Sequence, residues 1–224
     1  MQRSEIRDAI RRQTLNSTGE ISDADVNAII DEAYNFVSQA YEWPWLEASA
    51  NITVTANQTE YALPNDLQLL QNVVRSNKKI VLQQVPFETV LRIYGDDLPV
   101  ASDASAYYVR GSNVGLVPTP SANETNAYVV YYLKTPTLMT LDTDQPEWAA
   151  TWHHVLVDYG VYRIFYREEY FQEAEAAYQH FIAGLQDMIA FYNKQAQPSH
   201  VIVGDGVNRT FYWSDKMRLP GFIV

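Results

Sequence analysis

Apolar residues recur every three or four positions near both ends of the chain, and every second position through its middle. Residues 4–15 read as a short helix with Ile6 and Ile10 on one side. The stretch "NSTGE" at 16–20 breaks it. A second helix begins at Ser22, where Ser22-x-x-Asp25 resembles a capping box with Asp in the usual Glu position. Val26, Ile29, Ile30, Ala33, Phe36, Val37, Ala40 and Tyr41 follow at helical spacing. Pro44 has no amide hydrogen and drives Trp43 out of helical geometry, so the helix stops in "EWPW".

The period then changes to two. In "ANITVTANQTEYALP", Ile52, Val54 and Ala56 alternate with threonines, Asn57-Gln58 turns the chain, and "TEYAL" returns as the second strand of a hairpin. "LQLLQNVV", "KIVLQQV", "AYYVRG", "VGLVP" and "AYVVYYLK" read as further strands. "PFETVLRIY" reads as a short helix with Pro86 in its first turn, and "GDDLPVASDAS" as a loop. Helical spacing resumes at "LDTDQPEW", where Asp144 caps, Pro146 fits the first turn and Glu147 closes the box. The helical region runs to about Gln195, with a break near "REEY". Ala174, Tyr178, Phe181, Leu185, Met188 and Tyr192 form a seam along its second half. Packing on the first helices and pairing with another chain account for that seam equally well. Pro198 ends the helix. The expected fold class is therefore α+β. A helical bundle is contributed by 1–48 and 137–197, a β-rich domain is inserted at 49–136, and an extended C-terminal tail occupies 198–224.

Composition narrows the function classes. The chain has 224 residues, 47% hydrophobic and 19% charged, enough for a real core. With no cysteine, disulfides, thiolate nucleophiles and cysteine metal sites are excluded. A net charge of -11 disfavours binding to phosphate backbones. Sixteen tyrosines offer large contact area with a polar tip, suited to surfaces that meet partners. The N-terminus shows no signal-peptide pattern, and the longest apolar run, "YVVYYL" at 128–133, is too short to span a bilayer. A soluble protein of the cytoplasm, or one assembled there, is expected. The Asn-x-Ser/Thr triplets beginning at Asn16, Asn51, Asn57, Asn123 and Asn208 read as turn chemistry.

Candidate chemistry is sparse. Arg3, Arg7 and Arg11 stand four apart, as a solvated face relieved by Glu5 and Asp8 or as a basic patch for an acidic partner. In "TWHHVLVDY", adjacent helix positions point about 100° apart, so His153 and His154 are poorly placed to share a metal. His154 and Asp158 share a face, but no third ligand follows from the spacing. The favoured reading is a helix that packs through Trp148, Trp152, Val155, Leu156 and Tyr159, with the imidazoles at its margin. "GDGVNR" lacks the third glycine of a dinucleotide-binding turn. Asp142 and Asp144 resemble a carboxylate pair, which capping by Asp144 explains. No catalytic residue, cofactor or metal ligand is assigned.

Taken in order, several segments resemble one family. The first helices close on "WPWL"; "YALPND" matches a Tyr-x-Leu-Pro-x-Asp pattern; "VPFETV" stands where relatives show a Ser-Pro-Glu-like turn. "YYVRGSNVGLVPTP" is similar to a Tyr-x-x-x-Gly-x-x-Leu-x-Leu-x-Pro-x-Pro pattern, and "YVVYYLKTP" and the Trp-His return helix follow. Over about residues 1–195 the chain resembles the adaptor, or head-to-tail connector, proteins of tailed bacteriophages. It departs in Trp45, where relatives often carry phenylalanine, and in its long tail. The resemblance implies a structural virion protein without catalytic activity, assembled in the host cytoplasm and located at the neck. It implies a dodecameric ring that binds the portal and the tail nozzle or tail-tube proteins. It also implies a channel that DNA passes without sequence-specific contact, and no membrane partner. The alternatives are a sugar- or ligand-binding module with tyrosines on one exposed sheet face and, third, a metal-dependent enzyme.

The tail is too apolar for a free arm, yet Pro198, Gly204 and Gly206 prevent a continued helix. It either folds back on its own domain or, the favoured reading, lies on a neighbouring subunit or the portal. The docking residues are then Val201, Ile202, Val203, Phe211, Tyr212, Trp213, Phe222 and Ile223.

Overall fold

A computed structural model describes residues 1–15, 20–95 and 97–196. The docking residues expected in the tail, from Val201 to Ile223, lie outside them. The described residues form a mixed α+β structure in two compact units: Met1–Trp45 with the described part of Pro136–Val224, and Leu46–Thr135.

The first unit is helical. Helices α1 (Arg3–Thr14), α2 (Asp23–Ala40), α4 (His154–Arg167) and α5 (Phe171–Ala196) pack on one another. Ser22 caps α2: its hydroxyl accepts the Asp25 amide at 3.1 Å and donates to the Asp25 carboxylate at 2.8 Å. Past Ala40 the chain turns extended at Tyr41, and Pro44 opens a short 3-10 turn. The Trp43 indole is fully buried and donates to the Val37 carbonyl at 2.6 Å, closing an α2 terminus that has no basic residue in its last turn. Trp45 stacks on Trp43 at 4.4 Å, and Tyr192 of α5 meets both rings edge-on. The seam of α5 thus packs within the chain, with Phe181, Leu185 and Met188 fully or almost fully buried. Helix α4 carries Gly160 where α1 comes closest; a methyl group there would run into the Ile10 side chain, which is itself fully buried.

Two readings are corrected here. The arginine stripe is neither a solvated face nor a free patch. Arg3 and Arg11 are buried, and Arg7 is nearly so. Arg3 pairs with Asp31 at 2.7 Å, Arg11 with Asp23 at 2.8 Å, and Arg7 with Asp142 at 2.9 Å. Arg11 also donates to the Ile21 carbonyl at 2.7 Å. Second, "LDTDQPEW" does not begin a helix. Its backbone serves α1 instead: the carbonyls of Asp144 and Asp142 accept the Arg3 and Ser4 amides at 2.8 and 3.1 Å. These are orphan donors of a helix N-terminus, and satisfying them holds 140–149 in turns and extended backbone. The Asp144 carboxylate caps backwards, accepting the Thr140 and Leu141 amides at 2.8 Å each. A 3-10 turn at Ala150–Trp152 precedes α4, which starts only at His154.

The second unit is β-rich. Its strands are β1 (Glu47–Val54), β2 (Glu60–Ala62), β3 (Leu67–Arg75), β4 (Ile80–Val81), β5 (Gln83–Gln84), β6 (Val100–Ala101), β7 (Ala106–Arg110), β8 (Asn113–Val117), β9 (Thr119–Pro120) and β10 (Glu124–Lys134). Helix α3 (Phe87–Tyr94) follows β5, with Pro86 as its N-cap. One sheet has the order β1-β10-β3-β4, a second β2-β8-β7-β5, and β6 pairs with β9. The inner faces of the two larger sheets share one apolar cluster that includes Ile52, Val73, Leu116 and Val130. The expected hairpin is corrected. The turn exists, with Asn57 at φ 62° and Gln58 donating to the Thr55 carbonyl at 3.1 Å. The strands it joins nevertheless enter different sheets: β1 pairs with β10, and β2 pairs with β8. The short β2 follows Tyr61 into the core, where its hydroxyl stays tied to the turn through the Thr55 and Gln58 carbonyls at 3.1 and 2.8 Å. The loop read over "GDDLPVASDAS" contains the two-residue strand β6.

Two glycine positions test this packing. Gly115→Ala in β8 drives a methyl into the buried Tyr108 ring, and the expected loss is about 3 kcal/mol. Gly160→Ala is expected to cost about 2 kcal/mol by separating α1 from α4. Urea unfolding measures both; wild-type midpoints would refute the close approach.

Candidate interaction surfaces

His153 carries no exposed chemistry. It is 1% exposed, not at the helix margin, because it closes the turn before α4. Its Nε2–H donates to the Trp148 carbonyl at 3.1 Å, and a carbonyl can only accept, so Nδ1 is left to accept the Met1 amino group. Burial pushes its pKa below the ordinary histidine value. His154 is exposed, with Nδ1 bonded to the Thr151 carbonyl at 2.9 Å. It packs against Gly184, where an added methyl would meet its Nε2 at 3.3 Å. Burial pushes the Asp158 carboxyl up, against the opposing pull of His154 and His180. Among the described residues, no group of three His, Asp or Glu side chains could hold a metal ion. None of the described helices is long and apolar enough to cross a membrane.

The strand tyrosines do not form an exposed platform. Tyr61, Tyr107, Tyr108, Tyr128 and Tyr132 are all buried, while Tyr131 is exposed. Their hydroxyls hold the fold: Tyr128 accepts the Ala104 amide at 2.8 Å, and Tyr132 donates to Asp66 at 3.0 Å. Burial pushes the Tyr108 hydroxyl up to about 12, and its bond to Glu60 adds to the shift. Arg75 lies against the Tyr128 ring at 4.9 Å and binds Asp103, Glu124 and the Ala127 carbonyl.

The motifs behind the family resemblance have the same character. In "YALPND", Tyr61 ties down the preceding turn, the Pro64 carbonyl accepts the Leu67 amide at 3.1 Å, and Asp66 holds Tyr132. In "VPTP", the Thr119 amide reaches the Pro99 carbonyl at 2.8 Å and so anchors β9 to β6. These residues hold the β-rich unit together through hydrogen bonds within it. The family model for the SU10 adaptor protein matches residues 1–204, which takes in all described elements of both units. The chain belongs to this family of phage head–tail adaptors. It is thus a structural phage protein by family. No match is found among curated proteins.

For an adaptor the relevant features are surfaces. Among the described residues, the most exposed aromatic group lies at the elbow between α4 and α5. Tyr166, Tyr170 and Phe171 are 53, 55 and 59% exposed, and the rings of Tyr166 and Phe171 meet edge-on at 5.8 Å. Tyr162 links the group inward through Tyr166 and Tyr178. Glu169 holds the turn at φ 65°, a left-handed conformation that costs a non-glycine residue about 1 kcal/mol. Sequence reading located the break near "REEY" without recognising the surface. The available signal was two aromatics on either side of the charged run, in "FYREEYF".

The histidines separate structure from chemistry. His153→Ala is expected to cost about 2 kcal/mol, from a lost buried bond and the space left behind. The depressed pKa means that unfolded chains bind the proton more readily. Wild-type stability therefore falls as pH drops below about 6.5, and this slope should be smaller in the variant. His154→Ala should stay within about 0.5 kcal/mol. Urea titrations at pH 7.5 and 5.5 measure all three effects, and an unchanged slope would remove His153 as their source.

Proposed function

We propose that this chain is a virion component at the phage neck. On this reading a dodecameric ring of copies joins the portal to the tail nozzle or tail-tube proteins and continues the DNA channel. The observation that carries the reading is the adaptor family match, because it spans the helical unit and the β-rich unit in one stretch. The protein acts by binding and has no catalytic role. A net charge of -11 fits a channel wall that gives passing phosphates few contacts to hold. In this arrangement the β-rich segment is a domain inserted into a helical bundle, and the particle is assembled in the host cytoplasm. Residues 198–224 act as an extended arm laid on a neighbouring subunit or the portal. Val201, Ile202 and Val203 add a strand to an exposed edge, while Phe211, Tyr212, Trp213, Phe222 and Ile223 fill pockets.

Truncation and mixing test this reading together. The full chain, mixed with purified portal, should co-sediment as a ring-bearing complex at several salt concentrations. A chain ending at Gln197 should remain a folded, soluble monomer and lose at least tenfold in portal affinity. Failure of the full chain to co-sediment counts against the adaptor assignment. A truncated chain that binds normally, or that unfolds, eliminates the docking arm alone.

A further inference from the structure

The elbow between α4 and α5 and the edge of the first β-sheet are complementary surfaces. The elbow presents Tyr166, Tyr170 and Phe171 beside Glu168, Glu169 and Glu173. None of these glutamates has an ion pair among the described residues, while the nearby Arg167 is drawn towards Asp25 at 4.0 Å. The elbow is therefore both apolar and acidic. It cannot dock on its own copy in a second chain without bringing two sets of glutamates together, and like charges across an interface are costly.

In the β-rich unit, the outer face of the β1-β10-β3-β4 sheet carries a cross-strand row. Val129 of β10 lies opposite Val74 of β3, which lies opposite Val81 of β4. Val74 and Val129 are half-buried and Val81 is 58% exposed, although charge or polarity is the usual protection of a sheet edge. The turn entering β4 supplies Lys78 and Lys79. Lys78 shares Asp103 with Arg75, whereas Lys79 is exposed and has no ion pair among the described residues. This surface is apolar and basic, the opposite sign to the elbow.

We propose that the elbow of one copy docks on the β3–β4 edge of the next. The aromatic side chains then cover the Val129–Val74–Val81 row, and Lys79 faces the glutamates. Each copy uses two different surfaces, one from each unit. Such a heterologous contact propagates head-to-tail and can close into a ring. The inference rests on the proposed self-assembly and names the surfaces through which it occurs.

The absence of native cysteine makes the contact directly mappable. Full-length chains carrying Phe171→Cys with Val81→Cys, mixed with portal, are treated with a short bis-maleimide and run on a denaturing gel. A ladder of dimers, trimers and higher species is expected, with monomers only from each single-cysteine variant. Strong dimers from Phe171→Cys alone would show an elbow-to-elbow contact and overturn the proposal. Rings seen by microscopy without a ladder would overturn it while leaving the adaptor reading in place. No rings and no ladder would overturn both. A charge exchange provides the second readout. Glu169→Lys and Lys79→Glu should each raise the concentration needed for assembly at least tenfold, and the two together should recover most of that loss. Additive losses in the double variant would sink the pairing.

Discussion

Three arginines on one short helix tie the helical unit together. Arg3, Arg7 and Arg11 are spaced at one residue every turn, so a single face of α1 projects three guanidinium groups. Taking those charges out of water is costly, and the cost is met only where carboxylates and carbonyls are already placed. Asp23 and Asp31 of α2 and Asp142 of the return segment fill that role. A helix of twelve residues is marginal by itself. Here it is fixed at its N-terminus by the Asp142 and Asp144 carbonyls and along its length by ion pairs to segments far away in sequence. Asp31 shows the balance: burial raises its pKa despite a 2.7 Å bond to Arg3, so desolvation outweighs attraction at that carboxylate.

The aromatic residues divide by the same logic of burial. Trp43, Trp45, Trp148 and Tyr34 stack within the helical unit, and most strand tyrosines lie inside the β-rich one. The Trp43 indole donates to the Val37 carbonyl, whereas the buried indole nitrogens of Trp45 and Trp148 have no hydrogen-bond partner among the described residues. Among the described residues the exposed aromatics are Tyr94, Tyr131 and Phe191 at separate places, and Tyr166, Tyr170 and Phe171 together. At the α4–α5 elbow they sit where the helix must break, so a turn that contributes little to the core is free to serve a partner. No group of acidic and histidine side chains that could hold a metal occurs among the described residues.

Local chemistry in the sequence determined much of the element map. The Ser22 cap, the stop at "EWPW", the turn at Asn57-Gln58, the α3 segment and the break near "REEY" each depend on residues within one or two turns. The motif order was legible for the same reason, and with it the adaptor family, since Tyr61 and the Trp43 indole act over short distances in the chain. Tertiary structure decided what each element meets. "LDTDQPEW" carries every local mark of a helix start, yet its carbonyls are taken by α1 from across the chain. The strands flanking Asn57 look like a hairpin, yet they enter separate sheets, β1 beside β10 and β2 beside β8. Three arginines in sequence look solvated, and their burial depends on aspartates up to 135 positions away. Period and capping are local and can be read directly; pairing, desolvation and ion-pair choice depend on groups distant in sequence, and only the folded chain brings those together.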